Sequence, residues 1–425
     1  MIFFRNILIS RTHGFLSIFQ MMILGMALLF SSCNTSEVIP EDQEVFIKLY
    51  GGNGSDEGYD ILQLDDEGFI LVGSTTSNTL GDKDVLVIRT DKDGNELWKS
   101  HVGRQGNDIG RSVILGNNGS LYICGESVQS ALPVTGFRDV YVLNVSTADG
   151  NLISERVFGD SLRDEFGTDI INSVNNGFLI TSTRVYTDST VFYMIETDQS
   201  LNPIQERIAR KRGSDSFSST SAVSTSSDVS LNPYYCFGTV FESVLGVNKF
   251  LSFKFRTTGD QAIDPEVYGF NTGDSFCTDV IQSTDNGFYM CGYFQEGNVS
   301  EEMVVKINDR RQEIWTKTYP NEYNRSVGDA GIFQTADGGF VVTSVIQLDD
   351  PKNDEISLLR LDAAGDVVWR NTFGSDEDDR GAGVIEMNDG GFAIVGTVGF
   401  EINTNSQSKL CLIKVNKDGN LITSK

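Results

Sequence analysis

The apolar residues of this chain form short runs separated by turns rich in glycine, aspartate and asparagine. The same order of runs recurs about every 54 residues between Val45 and Lys425. In each unit a first strand with β-branched residues, such as Ile61–Leu64, is followed by a glycine turn and a continuous apolar strand such as Phe69–Gly73. Short runs bounded by turn residues predict strands, and no long stretch after residue 33 has the 3.6-residue period of a helix.

The rest of each unit adds two more strands. A third strand such as Val85–Arg89 leads through the turn at 93–95 to a fourth, which begins near tryptophan at Trp98, Trp315 and Trp369. Seven units of four antiparallel strands predict an all-β fold, a seven-bladed β-propeller. The continuous apolar second strand fits a sheet covered on both faces by neighbouring blades. A β-helix is the alternative, but its coils are usually much shorter than these units.

The two ends of the repeat region predict how the ring closes. Phe46–Tyr50 aligns with the fourth strands at 98–102 and 369–373, whereas the seventh unit stops soon after its third strand. We therefore expect the N-terminal strand to complete the last blade, which would protect an open sheet edge. The fourth unit is divergent. Its segment 214–230 is rich in serine, and the first strand of the unit is hard to place there. Either sequence drift or a functional loop explains this divergence.

The first 32 residues predict a lipoprotein signal peptide. They contain no acidic residue and carry Arg5 and Arg11. Their apolar segment is followed by two serines, which stand directly before Cys33. The apolar segment is short for a transmembrane helix, and small residues before a cysteine suit lipoprotein processing. The prediction is a signal peptide at 1–32, acylation of Cys33 with fatty acids such as palmitate, an acidic tether at 33–44 and the propeller at 45–425. Asn34 gives no aspartate-type retention signal, which favours the outer membrane.

Charge and histidine content restrict the possible functions. The chain has 33 basic and 59 acidic residues, a net charge of -26, which argues against nucleic acid and anionic surfaces as partners. The only histidines are His13 and His101, so the chain remaining after removal of the signal peptide has too few for a histidine-rich metal site. His101 falls on a predicted outer strand, where we interpret it as a surface residue.

The cysteines are predicted to be free thiols in the core. Cys124, Cys236 and Cys291 precede the glycine of the second strand in three different units, where other units have valine or threonine. Cys277 replaces a glycine at the start of a first strand, and counting from the turn at 285–287 places it opposite about Phe294. Small apolar positions in different blades favour packing over disulfides.

The candidate chemistry is acidic. The loops that connect one unit to the next contain the densest charge, and the best single positions for binding a ligand are Asp56, Asp108, Asp164, Asp274 and Asp376. Around a ring these carboxylates are expected to line one rim, where they could cap turns, bind hydroxyl groups of a glycan, hold Ca²⁺ or serve acid–base catalysis. A calcium site, if one exists, is placed at Asp376, Asp378 and Asp379. No other cofactor and no catalytic residue are predicted.

Several local motifs resemble a known kind of sequence. They are the Asp-Gly-Gly-Phe turns at 337–340 and 389–392, the Gly-Ser-Thr strand exit at 73–75, the turn at 91–95 and the Trp-Arg-Asn-Thr-Phe-Gly strand at 369–374. The combination resembles the propeller-repeat lipoproteins of Bacteroidetes and covers nearly all of the chain except the fourth unit. The resemblance implies a propeller on the cell envelope, and it supplies no catalytic residues.

The sequence thus predicts an envelope-anchored lipoprotein that acts as a non-enzymatic binding or scaffolding propeller. Its expected partners are membrane lipid through acylated Cys33 and a glycan or another envelope protein. The alternative is a carbohydrate-active enzyme, or a calcium-dependent glycan-binding protein that uses the acidic rim.

Overall fold

The computed structural model describes residues 45–128, 136–160, 162–209, 216–224, 234–255, 265–321, 328, 330–347, 353–402 and 405–421. These residues form seven four-stranded antiparallel sheets arranged as a seven-bladed β-propeller, so the predicted fold is confirmed. Within the described ranges there is no helix, and hence none long and apolar enough to cross a membrane. The predicted signal peptide and Cys33 lie outside these residues.

The strands follow one another around the ring. The chain opens with β1 (Phe46–Tyr50). Blade 1 contains β2 (Asp56–Gln63), β3 (Phe69–Thr75), β4 (Asp84–Thr90) and β5 (Glu96–Val102). Blade 2 contains β6 (Asp108–Leu115), β7 (Leu121–Val128), β8 (Arg138–Val145) and β9 (Leu152–Phe158). Blade 3 contains β10 (Glu165–Asn172), β11 (Phe178–Val185), β12 (Thr190–Thr197) and β13 (Pro203–Ala209).

The remaining blades repeat this order. Blade 4 contains β14 (Ser216–Ser224), β15 (Tyr234–Glu242), β16 (Val247–Phe255) and β17 (Glu266–Tyr268). Blade 5 contains β18 (Asp274–Gln282), β19 (Phe288–Glu296), β20 (Val299–Ile307) and β21 (Glu313–Tyr319). Blade 6 contains β22 (Gly331–Gln334), β23 (Phe340–Gln347), β24 (Asp354–Leu361) and β25 (Val367–Phe373). Blade 7 contains β26 (Arg380–Glu386), β27 (Phe392–Ile402) and β28 (Asn405–Val415), and β1 is its fourth strand.

The predicted closure by the N-terminal strand is confirmed. β1 pairs antiparallel with β28, from Phe46 opposite Lys414 to Tyr50 opposite Leu410. The Tyr50 hydroxyl donates a 2.6 Å hydrogen bond to the carbonyl of Gly94 in blade 1. β1 therefore joins the first and last blades as well as completing a sheet.

The core is a ring of seven apolar layers, one between each pair of neighbouring blades. β3 is buried along its whole length, as expected for a strand covered on both faces. The tryptophans of the fourth strands cover the next blade. Trp98, for example, packs over Gly150 and donates a 3.1 Å hydrogen bond to the carbonyl of Thr147. A side chain at Gly150 would collide with that ring, and the residue also has φ of +71°, so glycine is required there.

The five cysteines in the described part of the chain are buried and unpaired, as predicted. The predicted register of Cys277 was wrong, because this residue lies opposite Gly292 rather than Phe294. A β-bulge at Thr278 adds one residue to β18 and shifts the pairing. His101 lies on the outer strand β5, as predicted, and it is half-buried, with a buried Nε2 that has no hydrogen-bond partner.

Candidate functional site

The innermost strands surround a central channel, with a cavity of about 1000 Å³. In six blades the register of the inner strand shifts at one residue, which is the residue expected to bulge toward the channel. All six of these residues line the cavity, namely Tyr59, Arg111, Thr168, Thr220, Thr278 and Ala382. The repeat therefore places one variable side chain from each of these six blades in the channel.

Three aspartates follow the bulges of alternate blades, namely Asp60, Asp169 and Asp279. Each accepts a hydrogen bond from the next backbone amide of its own strand. Each also accepts a bond from the following blade, the donors being the Val113 amide at 2.8 Å, the Ser221 hydroxyl and the Ile332 amide at 2.9 Å. We call these residues the channel aspartates. They connect blade 1 to 2, 3 to 4 and 5 to 6.

The channel aspartates have raised pKa values. Burial raises the pKa of Asp60 and of Asp279 to about 7, and repulsion from Asp169 adds to both shifts. Burial raises the pKa of Asp169 as well. All three keep some exposure to the channel, so solvent screening limits the effect on stability. Near neutral pH the carboxyls of Asp60 and Asp279 are partly protonated and can both donate and accept hydrogen bonds.

A polar cleft of about 690 Å³ opens beside the channel and involves blades 1, 2, 6 and 7. Its charged and aromatic lining consists of Glu57, Tyr59, Arg111, Asp354, Glu377, Asp378 and Arg380. We call this space the channel-mouth cleft, because Tyr59 and Arg111 also line the channel. It brings both signs of charge and an aromatic ring into one concave surface.

Local contacts hold the key side chains of the cleft in place. Glu57 accepts hydrogen bonds from the Tyr59 hydroxyl at 2.7 Å and from Lys83 at 2.9 Å. Burial alone would raise the pKa of Glu57, but these bonds and one from Ser74 hold the pKa below its usual range. The Arg111 guanidinium lies 5.1 Å from the centre of the Tyr59 ring and 3.3 Å from Glu126. The cleft therefore offers a fixed carboxylate, a positioned guanidinium and a tyrosine ring.

A larger groove of about 1180 Å³ is lined by residues of blades 5 and 6 and by residues 419–421, which follow β28 of blade 7. Its main charged groups already have partners. Lys317 pairs with Asp366 at 2.7 Å, and Arg370 pairs with the buried Glu302. The channel-mouth cleft is the better candidate site, because it joins the channel and combines groups from four blades.

The five predicted binding aspartates do not come together, and none lines the channel or the cleft. Asp56, Asp108 and Asp274 begin β2, β6 and β18, whereas Asp164 and Asp376 are in the loops before β10 and β26. Asp56 and Asp108 are buried, and they accept hydrogen bonds from the amides of Gly52 and Arg104. Asp164 and Asp274 are half-buried, and both accept amide hydrogen bonds, whereas Asp376 is exposed. The ligand-binding role of these residues stays a prediction. Most of them cap loops in this structure.

The residues predicted to bind calcium differ in their exposure to solvent. Asp376 and Asp378 are exposed, whereas Asp379 is buried and accepts hydrogen bonds from the amides of Ser375 and Gly399. In the part of the chain that the structure describes, no three or more histidine, cysteine or acidic side chains are grouped to hold a metal ion. Calcium binding at these residues stays a prediction.

Sequence reasoning missed the channel aspartates and the cleft residues Tyr59 and Arg111. One signal could have revealed the aspartates. Asp60, Asp169 and Asp279 each stand immediately before the β-branched core residue of a first strand, in every second unit. A charged residue at a repeated strand position indicates a specific contact more strongly than an acidic residue in a loop does.

No family model and no curated protein matches this chain. Among solved structures, the polysaccharide lyase Uly1 has a TM-score of 0.54 at 8% identity, over 90% of this chain and 94% of the lyase. The WD40 domain of Pan2 from Neurospora crassa has a TM-score of 0.50 at 9% identity, over 88% and 95%. An α-L-arabinofuranosidase from Fusarium graminearum has a TM-score of 0.45 at 11% identity, over 87% and 98%. At these identities the similarity shows the propeller fold alone.

Proposed function

We propose that this protein is a non-enzymatic binding propeller of the bacterial cell envelope, and that it binds a neutral glycan in the channel-mouth cleft. The observation that carries the proposal is the composition of that cleft, in which Tyr59, Arg111 and Glu57 converge beside an open channel. An aromatic ring can stack on a sugar face, while carboxylate and guanidinium groups bind its hydroxyls.

Charge supports a neutral ligand over an anionic one. The chain carries a net charge of -26, and the cleft itself contains more carboxylates than guanidinium groups. A polyanion would be repelled before it reached Arg111 or Arg380. A polyhydroxylated ligand meets no such barrier.

The state of Glu57 supports binding over hydrolysis. A glycosidase needs a carboxylic acid with a raised pKa to protonate the leaving group. The pKa of Glu57 is lowered by hydrogen bonds from Tyr59, Lys83 and Ser74, although burial opposes them. Glu57 is therefore suited to accept hydrogen bonds rather than to donate a proton.

The envelope location rests on the sequence. An apolar segment that ends in Ser-Ser-Cys33 suits lipidation, and the outer membrane is favoured by Asn34. The residues between Cys33 and β1 can reach at most about 40 Å when extended. This distance keeps the propeller close to the membrane.

Replacement of Tyr59 by alanine is expected to weaken glycan binding about tenfold, because the loss of one stacking contact removes about 1 to 1.5 kcal/mol. Residues 34–425 without lipid would be screened on a glycan array with and without Ca²⁺, and the affinity for a bound glycan then measured for each variant. Phe137→Ala is the matched control, because Phe137 is exposed and lines neither cavity. Equal affinity of the Tyr59 variant and the control would exclude the cleft, and cleavage products would identify an enzyme.

A second candidate function, protein scaffolding, is favoured by a row of exposed aliphatic residues. They occupy the second position of the fourth strand in five blades and are 54–57% exposed, namely Leu97, Ile153, Ile204, Ile314 and Val368. Repeated apolar exposure on outer strands suits contact with the apolar surface of an envelope protein. If these positions crosslink to an envelope protein on intact cells, and no glycan ligand is found on the array, the scaffolding function is favoured.

A further inference from the structure

The contacts between neighbouring blades include a repeated pair of side chains near the loop that connects them. One member comes from the third strand of a blade, and the other is the first residue of the next inner strand. Between blades 7 and 1 the pair is Lys409 and Asp56, which form an ion pair. Between blades 1 and 2 the equivalent residues are Asp84 and Asp108, and between blades 2 and 3 they are Asp139 and Glu165. We call these pairs the interblade pairs.

Two of these interblade pairs contain or contact a cation of the protein itself. Lys409 supplies it between blades 7 and 1. Between blades 2 and 3, Arg184 lies 2.7 Å from Glu165 and over the ring of Tyr193. Positive charge beside a buried carboxylate offsets the cost of removing that carboxylate from water. Two carboxylates also meet between blades 6 and 7, at Glu355 and Asp379, but both oxygens of Asp379 already accept amide hydrogen bonds.

The pair between blades 1 and 2 brings two carboxylates together. Asp84 is 2% exposed and Asp108 is fully buried. Asp84 Oδ1 and Asp108 Oδ2 lie 2.3 and 2.9 Å from the position that a Cβ on Gly103 would occupy, so the two oxygens are no more than about 5.2 Å apart. Because residue 103 is glycine, no side chain occupies the space between these carboxylates.

One oxygen of each aspartate receives no backbone hydrogen bond. The Leu80 amide bonds to Asp84 Oδ2 and the Arg104 amide to Asp108 Oδ2, whereas the Oδ1 atom of each is buried and accepts no such bond. The buried Ser127 hydroxyl, opposite Asp108 in the ladder, hydrogen-bonds to Asp108 and favours its charged form. Asp84 Oδ1 is thus left without a donor, beside a second buried carboxylate.

The nearby cationic side chains bind elsewhere. The Arg104 guanidinium pairs with Glu155 at 3.2 Å, and Lys83 pairs with Glu57 at 2.9 Å. We propose that a metal cation binds between Asp84 and Asp108, in the place that the Lys409 ammonium takes between blades 7 and 1. The available donors are all oxygen, which is the ligand set that Ca²⁺ takes in proteins. This site is separate from the channel-mouth cleft and does not depend on glycan binding.

The test uses residues 34–425 treated with EDTA and then titrated with Ca²⁺ at pH 7.5. Saturable binding is expected by calorimetry, with a rise in melting temperature of about 3 °C at a Ca²⁺ concentration 100-fold above Kd. Asp84→Asn should weaken this binding about tenfold or more, because it removes a charged ligand. Asp188→Asn, a change of an exposed loop aspartate, is the matched control and should bind as the unchanged protein does.

A second variant reproduces the lysine–aspartate ion pair found between blades 7 and 1. Asp84→Lys should place an ammonium beside Asp108 and make the melting temperature in EDTA equal to that of the unchanged protein in Ca²⁺. If this variant fails to fold, the Asp84→Asn titration still decides. An absent Ca²⁺ response, or an equal response in Asp84→Asn, would overturn the proposal.

Discussion

Removal of residues 45–50 is expected to unfold the whole propeller rather than its last blade alone. The deletion exposes the edge of β28 and removes the buried side chain of Tyr50 from the layer between blades 7 and 1. Burial of one large side chain is worth about 2 to 3 kcal/mol, and each lost hydrogen bond adds about 1 kcal/mol. The total of roughly 5 kcal/mol or more is a large part of the free energy of unfolding of a typical domain.

Calorimetric melting of residues 45–425 and 51–425 would check this result. The longer protein is the control for loss of the tether. A finer comparison pairs Tyr50→Ala with Leu49→Ala, because Leu49 is on the same strand but half-exposed. The deletion and Tyr50→Ala should both lower the melting temperature, while Leu49→Ala changes it little. An unchanged melting temperature after the deletion would show that β1 does not hold the ring closed.

The free energy of unfolding is expected to fall as pH rises from 5 to 8, chiefly because of Asp60 and Asp279. The pKa of each is raised by burial to about 7, above the value of about 3.9 in an unfolded chain. Between about pH 4 and 7 the folded protein therefore keeps protons that the unfolded chain has released, and stability decreases with pH across that window. We expect a loss of roughly 2 kcal/mol for each carboxyl, less than a full shift implies because the channel is partly solvated.

Urea unfolding at pH 5 and pH 8, in EDTA, would measure the effect. The double variant Asp60→Asn with Asp279→Asn should lose most of the difference between the two pH values. Asp188→Asn with Asp376→Asn removes the same charge from exposed positions and should retain the difference. A smaller slope of the same sign should persist, because burial also raises the pKa of Glu165 to about 7 and of Asp379 to about 6. Equal slopes in both double variants would refute the assignment to the channel.

The sequence predicted the architecture because every unit repeats the same local signals. Turn glycines, a continuous apolar second strand and the alignment of 46–50 with other fourth strands were sufficient for blade number and closure. The starts of the first strands were wrong, since β2 begins at Asp56 and not at Ile61. Acidic and glycine residues indicate loops in isolation, but here they pair with the adjacent strand β3. Pairing overrides the weak strand preference of these residues.

The site was less predictable for physical reasons. Aspartates in loops suggested a charged rim, yet Asp56 and Asp108 turn inward to accept local amide hydrogen bonds, as aspartate often does in turns. The serine-rich sequence of the fourth unit made β14 hard to predict. In the structure Ser219 and Ser221 of this strand hydrogen-bond to Thr168 and Asp169 of blade 3. Such contacts connect residues about 50 positions apart, which strand patterns do not reveal.

The position of β1 has a mechanical consequence. If Cys33 carries lipid, any pull between the membrane and the propeller reaches β1 first, at Phe46. β1 is held in blade 7 by its pairing with β28 alone among the strands of that sheet, and its first pair is Phe46 with Lys414. The strand that carries the load of the tether is therefore also the strand that closes the ring, so tension strong enough to detach β1 would open the propeller at blade 7.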